Sequence, residues 1–173
     1  MTILVIGPSG VGKSDYGEHA AQQIAACQFF DLDDVVSTTA GIPRPKLLGR
    51  GADAFLMRCQ NEVGDILRSG PGLTALVAVG AGALLSCGAG AWLSAHPGPT
   101  IAVVASEEEV YKRGWEVNRT GPFPLFKAIE YSAARQALYQ SAKYQCNVTG
   151  LSLDKARAKF VSKINEILRG RLA

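Results

Sequence analysis

Five apolar runs recur along the chain, separated by longer stretches that are compatible with helices. Each run has five to seven residues, most of them apolar, which is typical of strands that are covered on both faces. The runs are Thr2 to Ile6, Ala26 to Phe30, Leu73 to Val79, Thr100 to Ala105 and Tyr144 to Val148. Strands that alternate with helices in this way predict an α/β fold with a five-stranded parallel sheet flanked by helices on both faces.

The segment from Leu73 to Ala95 carries no charged residue over 23 positions, which is long enough to span a membrane. Glycines at 80, 82, 88 and 90 interrupt it, and its β-branched residues lie near its start. This pattern favours a buried strand, a glycine turn and a helix, with a membrane span as the alternative.

Three further segments carry local signals. Ser106 to Glu109 has the S-x-x-E form of a capping box, so it predicts a helix start rather than a metal site. Apolar residues at helical spacing predict a packing helix from Leu153 to Leu168. Glycines and prolines interspersed with cations between Arg113 and Phe126 indicate a mobile lid loop, at about 112–126, that closes over a bound nucleotide.

Composition narrows the function classes. The chain has 173 residues, of which 47% are hydrophobic and 19% charged, and it suits one domain over residues 1–173. Its 18 Lys and Arg are spread along the sequence, and the net charge of +3 is mild, so no nucleic-acid partner is expected. The four cysteines show no metal-like spacing, and a strand begins almost at Met1. We therefore expect reduced thiols and a cytoplasmic protein.

The first strand leads directly into a phosphate-binding loop, residues 7–14, with the pattern G-x-x-x-x-G-K-[ST]. Glycines in the loop let consecutive N–H groups face phosphate oxygens, and a helix-compatible stretch from Tyr16 to Ala26 follows. Lys13 is expected to reach the β- and γ-phosphates and to offset charge during phosphoryl transfer, while Ser14 coordinates Mg²⁺. The expected nucleotide contacts in the loop and first helix are Gly10, Val11, Gly12, Lys13, Ser14 and Asp15. A glycine-rich turn without a ligand is the alternative.

A pair of carboxylates follows the second strand. Asp31 and Asp33 are two positions apart, so both can face the same way at the carboxyl end of a strand, where α/β sheets bind ligands. With the phosphate loop, the cluster Gly80-Ala81-Gly82 and the late motif Arg135-Gln136-Ala137-Leu138-Tyr139, they stand in an order that resembles the shikimate kinase family along essentially the whole chain.

The resemblance implies a P-loop kinase fold and an enzyme that transfers the γ-phosphate of ATP, with Mg²⁺, to the 3-hydroxyl of shikimate. By that likeness Asp33 is the catalytic, substrate-side carboxylate, Asp31 is the metal-side one, and Arg135 grips the substrate carboxylate. The likeness also places residues 80–82 against the substrate, within a site whose larger part is at about 31–62, and the adenine near 149–155. It implies a small-molecule partner, a monomer, and a role in aromatic amino acid biosynthesis.

The chain departs from the family pattern at several positions. Ala81 replaces the central glycine of G-G-G, so a methyl group stands where the backbone approaches the substrate. An arginine is expected in F-R-x-x-E, but the chain reads Phe55-Leu56-Met57-Arg58-Cys59-Gln60, and Arg58 is our candidate for this second carboxylate contact. A shift of one residue on a helix rotates a side chain by about 100°, so Arg58 either serves the site or points elsewhere.

The lid also differs from the family pattern. Phe123-Pro124-Leu125 stands where R-P is usual, and Arg113 is the best match to the catalytic arginine that touches the phosphates, with Arg119 as second choice.

Alternatives remain for single residues and for the whole protein. Asp33 could be a helix N-cap, and Arg135 could lie on a solvated helix face. The acceptor could be another hydroxylated acid, a sugar acid or a nucleotide, as Met57, Ala81 and the altered lid suggest. A non-catalytic nucleotide-binding regulator is the third possibility, against which the intact Lys13 and carboxylate pair argue.

Overall fold

The structure, a computed structural model, describes residues 1–69, 72–116 and 121–170. Within these residues all strand pairings are parallel, in the order β2-β3-β1-β4-β5. The strands are β1 (Thr2–Ile6), β2 (Cys27–Asp31), β3 (Thr74–Ala78), β4 (Thr100–Val104) and β5 (Tyr144–Asn147). Each one falls on a predicted apolar run, within one or two residues, so the predicted five-stranded parallel sheet is confirmed.

Helices cover both faces of the sheet. They are α1 (Lys13–Gln23), α2 (Leu32–Ala40), α3 (Arg44–Leu48), α4 (Ala52–Ser69), α5 (Ala89–Ala95), α6 (Glu107–Val110), α7 (Phe123–Glu130), α8 (Ala133–Ser141) and α9 (Leu153–Arg169). Alternate residues of β1 enter two separate apolar cores. Leu4 packs with residues of α2, α4 and α8, whereas Ile3 packs with residues of α1, α7 and α9. This two-sided burial explains why the central strands β1, β3 and β4 are almost entirely apolar.

Parallel pairing brings the carboxyl ends of the strands to one edge of the sheet. β1 lies between β3 and β4: the chain goes from β1 to β2 and β3 on one side of it, and then crosses to β4 on the other side. Such a switch point opens a crevice at the carboxyl ends, which is where α/β proteins bind ligands. The phosphate loop follows β1, Asp31 ends β2, and Gly80 follows β3, so the sheet brings all three to this crevice.

Of two connecting regions, the first is as predicted and the second differs from the prediction. The segment 73–95 forms β3, a short 3₁₀ turn at Ala83–Leu85 and α5, and no described helix is long and apolar enough to cross a membrane. The described part of the predicted lid loop is largely helical, because α6 continues into a π-helical turn at Tyr111–Glu116 and α7 begins at Phe123. Arg119, within 117–120, lies outside the described residues.

The capping box is only half formed. The Ser106 side chain accepts from the Glu109 backbone N–H at 3.4 Å, as predicted. The Glu109 carboxylate instead accepts the backbone N–H of Gly150 at 2.8 Å, which joins α6 to the loop after β5. The Glu109 side chain therefore makes a tertiary contact with Gly150, and not the contact at the helix start that the motif predicts.

Candidate active site

The phosphate loop has the curled backbone that its glycines predict. Gly10 and Gly12 have φ values of +85° and +105°, in the left-handed region that side chains rarely adopt. A Cβ on Gly10 would lie 2.7 Å from the Cα of Gly114, so the π-helical turn approaches the loop closely here. Gly12 is the N-cap of α1, and the positive end of that helix points at the loop. This geometry is that of an anion cradle.

Lys13 lies within this loop. Its ammonium donates to the carbonyl oxygens of Gly7 at 2.9 Å and Pro8 at 3.0 Å. Burial lowers the pKa of Lys13 from 10.5 to about 8, and the carboxylate of Glu130 is the largest opposing influence. The site thus holds a lysine whose charge is sensitive to its surroundings near neutral pH.

Ser14 and Asp31 form the second feature of the site. The Ser14 hydroxyl donates to Asp31 Oδ2 at 2.6 Å, so the start of α1 and the end of β2 meet. Asp31 Oδ1 accepts the backbone N–H of Asp33 at 3.1 Å and caps α2. The N-cap role considered for Asp33 therefore belongs to Asp31, and Asp33 lies within the first turn of the helix.

Asp33 is buried against the turn that follows β3. Its side chain is 7% exposed, and its Oδ2 pairs with Arg44 Nη1 at 2.9 Å. Its other oxygen, Oδ1, is buried without a hydrogen-bond partner. A Cβ on Gly80 would lie 2.0 Å from Oδ1, so glycine makes room for the carboxylate. Burial raises the pKa of Asp33 above its ordinary value, with the Arg44 guanidinium as the largest opposing influence. Asp33 also lines a cavity, so a ligand bound there can supply a donor to its carboxylate.

Arg135, on α8, points into the protein and not to solvent. It is 3% exposed, and its guanidinium donates to the Ala81 carbonyl oxygen at 2.6 Å and to the Tyr139 hydroxyl at 3.5 Å. The solvated helix face considered for Arg135 is therefore wrong. Its contact with Ala81 ties α8 to the turn after β3, next to Asp33.

Glu130 belongs to the site, although no sequence signal pointed to it. This residue ends α7, is 3% exposed, and accepts the backbone N–H of Ser9 at 3.1 Å. The same carboxylate oxygen lies 3.9 Å from Arg135 Nη1. One buried acid thus contacts both the phosphate loop and the arginine on α8, and only the tertiary structure reveals this.

Arg44 is the second residue that the sequence reasoning missed. Besides its ion pair with Asp33, it lines two cavities beside the phosphate loop, one shared with Lys13 and one shared with Arg135. The only sequence signal is its place between two prolines, within the predicted substrate region at about 31–62. Arg58 is partly exposed on α4 and lines neither cavity, so the geometry does not support the substrate contact that the resemblance implies.

Three cavities adjoin the phosphate loop in the described part of the protein. The Lys13 cavity, of about 250 Å³, is lined among others by Lys13, Ser14, Asp31, Asp33, Arg44, Gly80 and Ala81. The Arg135 cavity, of about 460 Å³, is lined among others by Ser9, Arg44, Ala81, Gly82, Glu130 and Arg135. They share Ser9, Gly10, Arg44 and Ala81 and so form one concave region. This concave region lies directly beside the phosphate loop.

The Arg113 cavity, of about 250 Å³, lies along the start of α1 and is lined by Gly10, Val11, Gly12, Asp15, Tyr16, Arg113 and Leu153. Arg113 also lies 3.5 Å from Glu109, while Asp15 forms a two-point ion pair with Arg157 of α9. The structure brings Arg113 beside the loop but not into the Lys13 cavity. Leu153 places the start of α9 next to the same space, within the stretch 149–155 expected to meet the adenine.

The comparisons with known proteins agree with this geometry. The family model described as shikimate kinase matches residues 9–168. A shikimate kinase from Bacteroides thetaiotaomicron superposes with a TM-score of 0.76 at 19% identity, over 98% of both chains. A shikimate kinase from Acinetobacter baumannii in complex with shikimate gives 0.72 at 21%, over 99% of this chain and 95% of that one.

A gluconokinase from Sinorhizobium meliloti 1021 is also similar, with a TM-score of 0.60 at 18% identity, over 98% of this chain and 96% of that one. No curated protein matches this chain in sequence. The solved structures share the fold with this protein.

Proposed function

Because the chain belongs to the shikimate kinase family, as its motifs predicted, we propose that this ATP-dependent kinase phosphorylates the 3-hydroxyl of shikimate. The observation that carries the proposal is the buried Asp33 carboxylate, which lines the same cavity as Lys13 and has one oxygen, Oδ1, without a hydrogen-bond partner. A hydroxyl is the donor that such an oxygen lacks. A sugar acid is the second candidate acceptor, because a gluconokinase is among the similar structures and a sugar acid, like shikimate, is a hydroxylated acid.

The nucleotide side of the proposal is supported by the loop. Curled glycines, the N-terminus of α1 and the Lys13 ammonium together suit a polyphosphate. We assign Gly10, Val11, Gly12, Lys13, Ser14 and Asp15 to nucleotide binding, with Arg113 on the flank of the same loop. We propose that Arg113 contacts the nucleotide. Its side chain would reach the transferred phosphoryl group only after the lid moves.

The donor set beside the loop fits Mg²⁺. The Ser14 hydroxyl and the Asp31 carboxylate are hard oxygen ligands that already lie 2.6 Å apart. The described residues contain no cluster of three or more His, Cys, Asp or Glu that could hold a metal alone. A kinase site needs none, since Mg²⁺ takes most remaining ligands from phosphates and water and supplies charge neutralisation.

Asp33 has the position and environment of the acceptor-side carboxylate. Burial raises its pKa, which makes it a stronger proton acceptor than an exposed aspartate. In the proposed reaction, the Asp33 carboxylate accepts the proton of the attacking hydroxyl. The acceptor oxygen then forms its bond to the γ-phosphorus, and the bond from that phosphorus to the bridging oxygen breaks, leaving its electron pair on ADP. Lys13 offsets the charge that develops.

Arg135 supports recognition of an acid. It lines the Arg135 cavity together with Gly82 and is held by the Ala81 carbonyl oxygen. A buried, positioned guanidinium has little orientation to lose when it binds a carboxylate. We propose that it faces the carboxylate of the substrate, while Gly80, Ala81 and Gly82 form the adjoining wall. We keep the sequence-based expectation of a monomer in the cytoplasm as part of this proposal.

The test is steady-state ADP release with Mg-ATP and shikimate, beside gluconate, quinate, nucleoside monophosphates and no acceptor. Turnover of shikimate above about 1 s⁻¹ supports the proposal. If only another acceptor is turned over, that acceptor takes the place of shikimate in the proposal. If the protein binds ATP but turns over no acceptor, the proposal is contradicted. Asp33→Ala is expected to lower kcat by far more than tenfold, and a smaller loss would remove the role assigned to Asp33.

A further inference from the structure

The face of α4 that turns towards the protein interior is apolar. Phe55, Leu56 and Cys59 are buried in the core beneath the sheet, and Leu56 is 4% exposed. Counted from Phe55, the arginine position of the F-R-x-x-E pattern falls on Leu56. Arg58, two residues on, lines neither cavity. This helix therefore brings no guanidinium to the site.

A guanidinium reaches the same region from α3. Arg44 is the first residue of this helix, and the flanking prolines Pro43 and Pro45 restrict the backbone on either side of it. Its side chain lines both the Lys13 cavity and the Arg135 cavity. Arg44 thus lies where the acceptor hydroxyl and the acceptor acid group would both be within reach.

The two arginines of the Arg135 cavity differ in how fully they are engaged. Arg135 is buried and already contacts Ala81, Tyr139 and Glu130. The Arg44 side chain is 53% exposed, and its ion pair with Asp33 joins one nitrogen, Nη1, to one carboxylate oxygen. A guanidinium has five N–H donors in a planar fork, so Arg44 retains donors for a second anion.

We propose that Arg44 recognises the carboxylate of the acceptor, in the role that the family pattern assigns to an arginine of α4. Its contact with Asp33 holds the carboxylate that meets the hydroxyl, so one side chain links acid recognition to acceptor positioning. This inference rests on the proposed function, since it concerns the same acceptor site. The proposal requires a hydroxylated acid as substrate. Its carboxylate and its reacting hydroxyl must be carried on the same small ring or short chain.

The experiment compares shikimate with its methyl ester, which keeps the hydroxyls and removes the charge. Binding of each to the ADP complex is measured by calorimetry, and turnover by ADP release, for wild type, Arg44→Ala, Arg44→Lys and Arg58→Ala. Lys46→Ala, which removes an exposed cation from the same helix, is the matched control. Thermal melts show that each variant folds.

Arg44→Ala is expected to weaken binding of the acid by about 10- to 100-fold and to change binding of the ester by less than about threefold. Arg44→Lys should recover only part of the loss, because a lysine lacks the planar fork. Lys46→Ala and Arg58→Ala should resemble wild type in the ratio of the two affinities. Equal losses for acid and ester in Arg44→Ala would overturn the proposal, since they would mean that Arg44 only positions Asp33.

This design distinguishes failure of the role proposed for Arg44 from failure of the proposed kinase function. Wild-type protein that binds the acid more tightly than the ester but does not phosphorylate it contradicts the kinase assignment and leaves Arg44 to be decided by the affinity ratio. Wild-type protein that binds acid and ester alike, or neither, overturns the role of Arg44. Loss of the ratio in Arg58→Ala, with Arg44→Ala unchanged, would return the role to α4.

Discussion

Adding one methyl group at Gly80 tests whether the position of Asp33 controls the reaction. A Cβ at this glycine would lie 2.0 Å from Asp33 Oδ1 and 2.1 Å from Oδ2. The φ angle of Gly80 is outside the left-handed region, so alanine suits the backbone and the conflict concerns the carboxylate. To reach an ordinary contact of 3.4 Å, the Asp33 carboxylate must move by about 1.4 Å.

The magnitude follows from that displacement. A misplacement of 1 Å in a reacting group costs on the order of 100-fold in rate, or about 2.7 kcal/mol in activation free energy. We therefore expect Gly80→Ala to lower kcat/KM for the acceptor by about 100-fold or more, while the Kd of ATP stays within about threefold. The assay is coupled ADP release, with calorimetry for ATP and a thermal melt to establish folding.

A matched glycine substitution provides the control. Gly64 lies on α4, and its added Cβ would meet only the flexible end of Arg68, at 3.4 Å. Gly64→Ala should leave kcat/KM unchanged and stabilise the helix slightly. Because Gly80→Ala acts through Asp33, it should add little to Asp33→Ala in a double variant. A folded Gly80→Ala protein with kcat/KM within threefold of wild type would refute the reasoning.

Three other residues yield predictions. The pKa of Lys13 is about 8 in the free protein, and a bound polyphosphate favours the charged amine. ATP affinity should therefore fall above pH 8, and binding there should be accompanied by proton uptake. Calorimetry in buffers of different ionisation enthalpy measures the uptake, and binding without it at pH 9 would contradict the prediction. Asp31→Asn keeps an acceptor for Ser14 but loses the charge, so the Mg²⁺ concentration for half-maximal rate should rise about tenfold. An unchanged Mg²⁺ titration would remove Asp31 from the metal site. Glu130→Ala leaves buried Arg135 without its acid, which should cost about 3 kcal/mol and lower Tm by roughly 10 °C. Glu130→Gln should destabilise less, and equal Tm values for wild type and Glu130→Ala would show that this contact is not stabilising.

The strands and the phosphate loop could be predicted because they depend on neighbours in sequence. A buried parallel strand must be apolar throughout, and the loop needs glycine where φ is positive, so both leave a local pattern. Asp31 and Asp33 were predicted at the correct edge for the same reason, since a strand and a spacing of two determine where they emerge. Which of the two caps α2 was not predictable, because that depends on how the helix begins.

The sequence pattern could not predict the placement of three charged residues, Arg44, Arg58 and Glu130. On a helix one residue turns a side chain by about 100°, so the pattern around Phe55 could not decide which arginine reaches the cavity. Glu130 contacts Ser9 across 121 residues of sequence, and nothing in its neighbourhood signals that contact.

The sequence by itself thus determined the parallel α/β fold, the phosphate loop and the family, because these follow from local spacing and residue type. The tertiary structure alone decided which cations line the Lys13 and Arg135 cavities and which acids pair with them. Those choices depend on packing between α3, α4, α7 and the sheet, where long-range burial and hydrogen bonding outweigh any local preference.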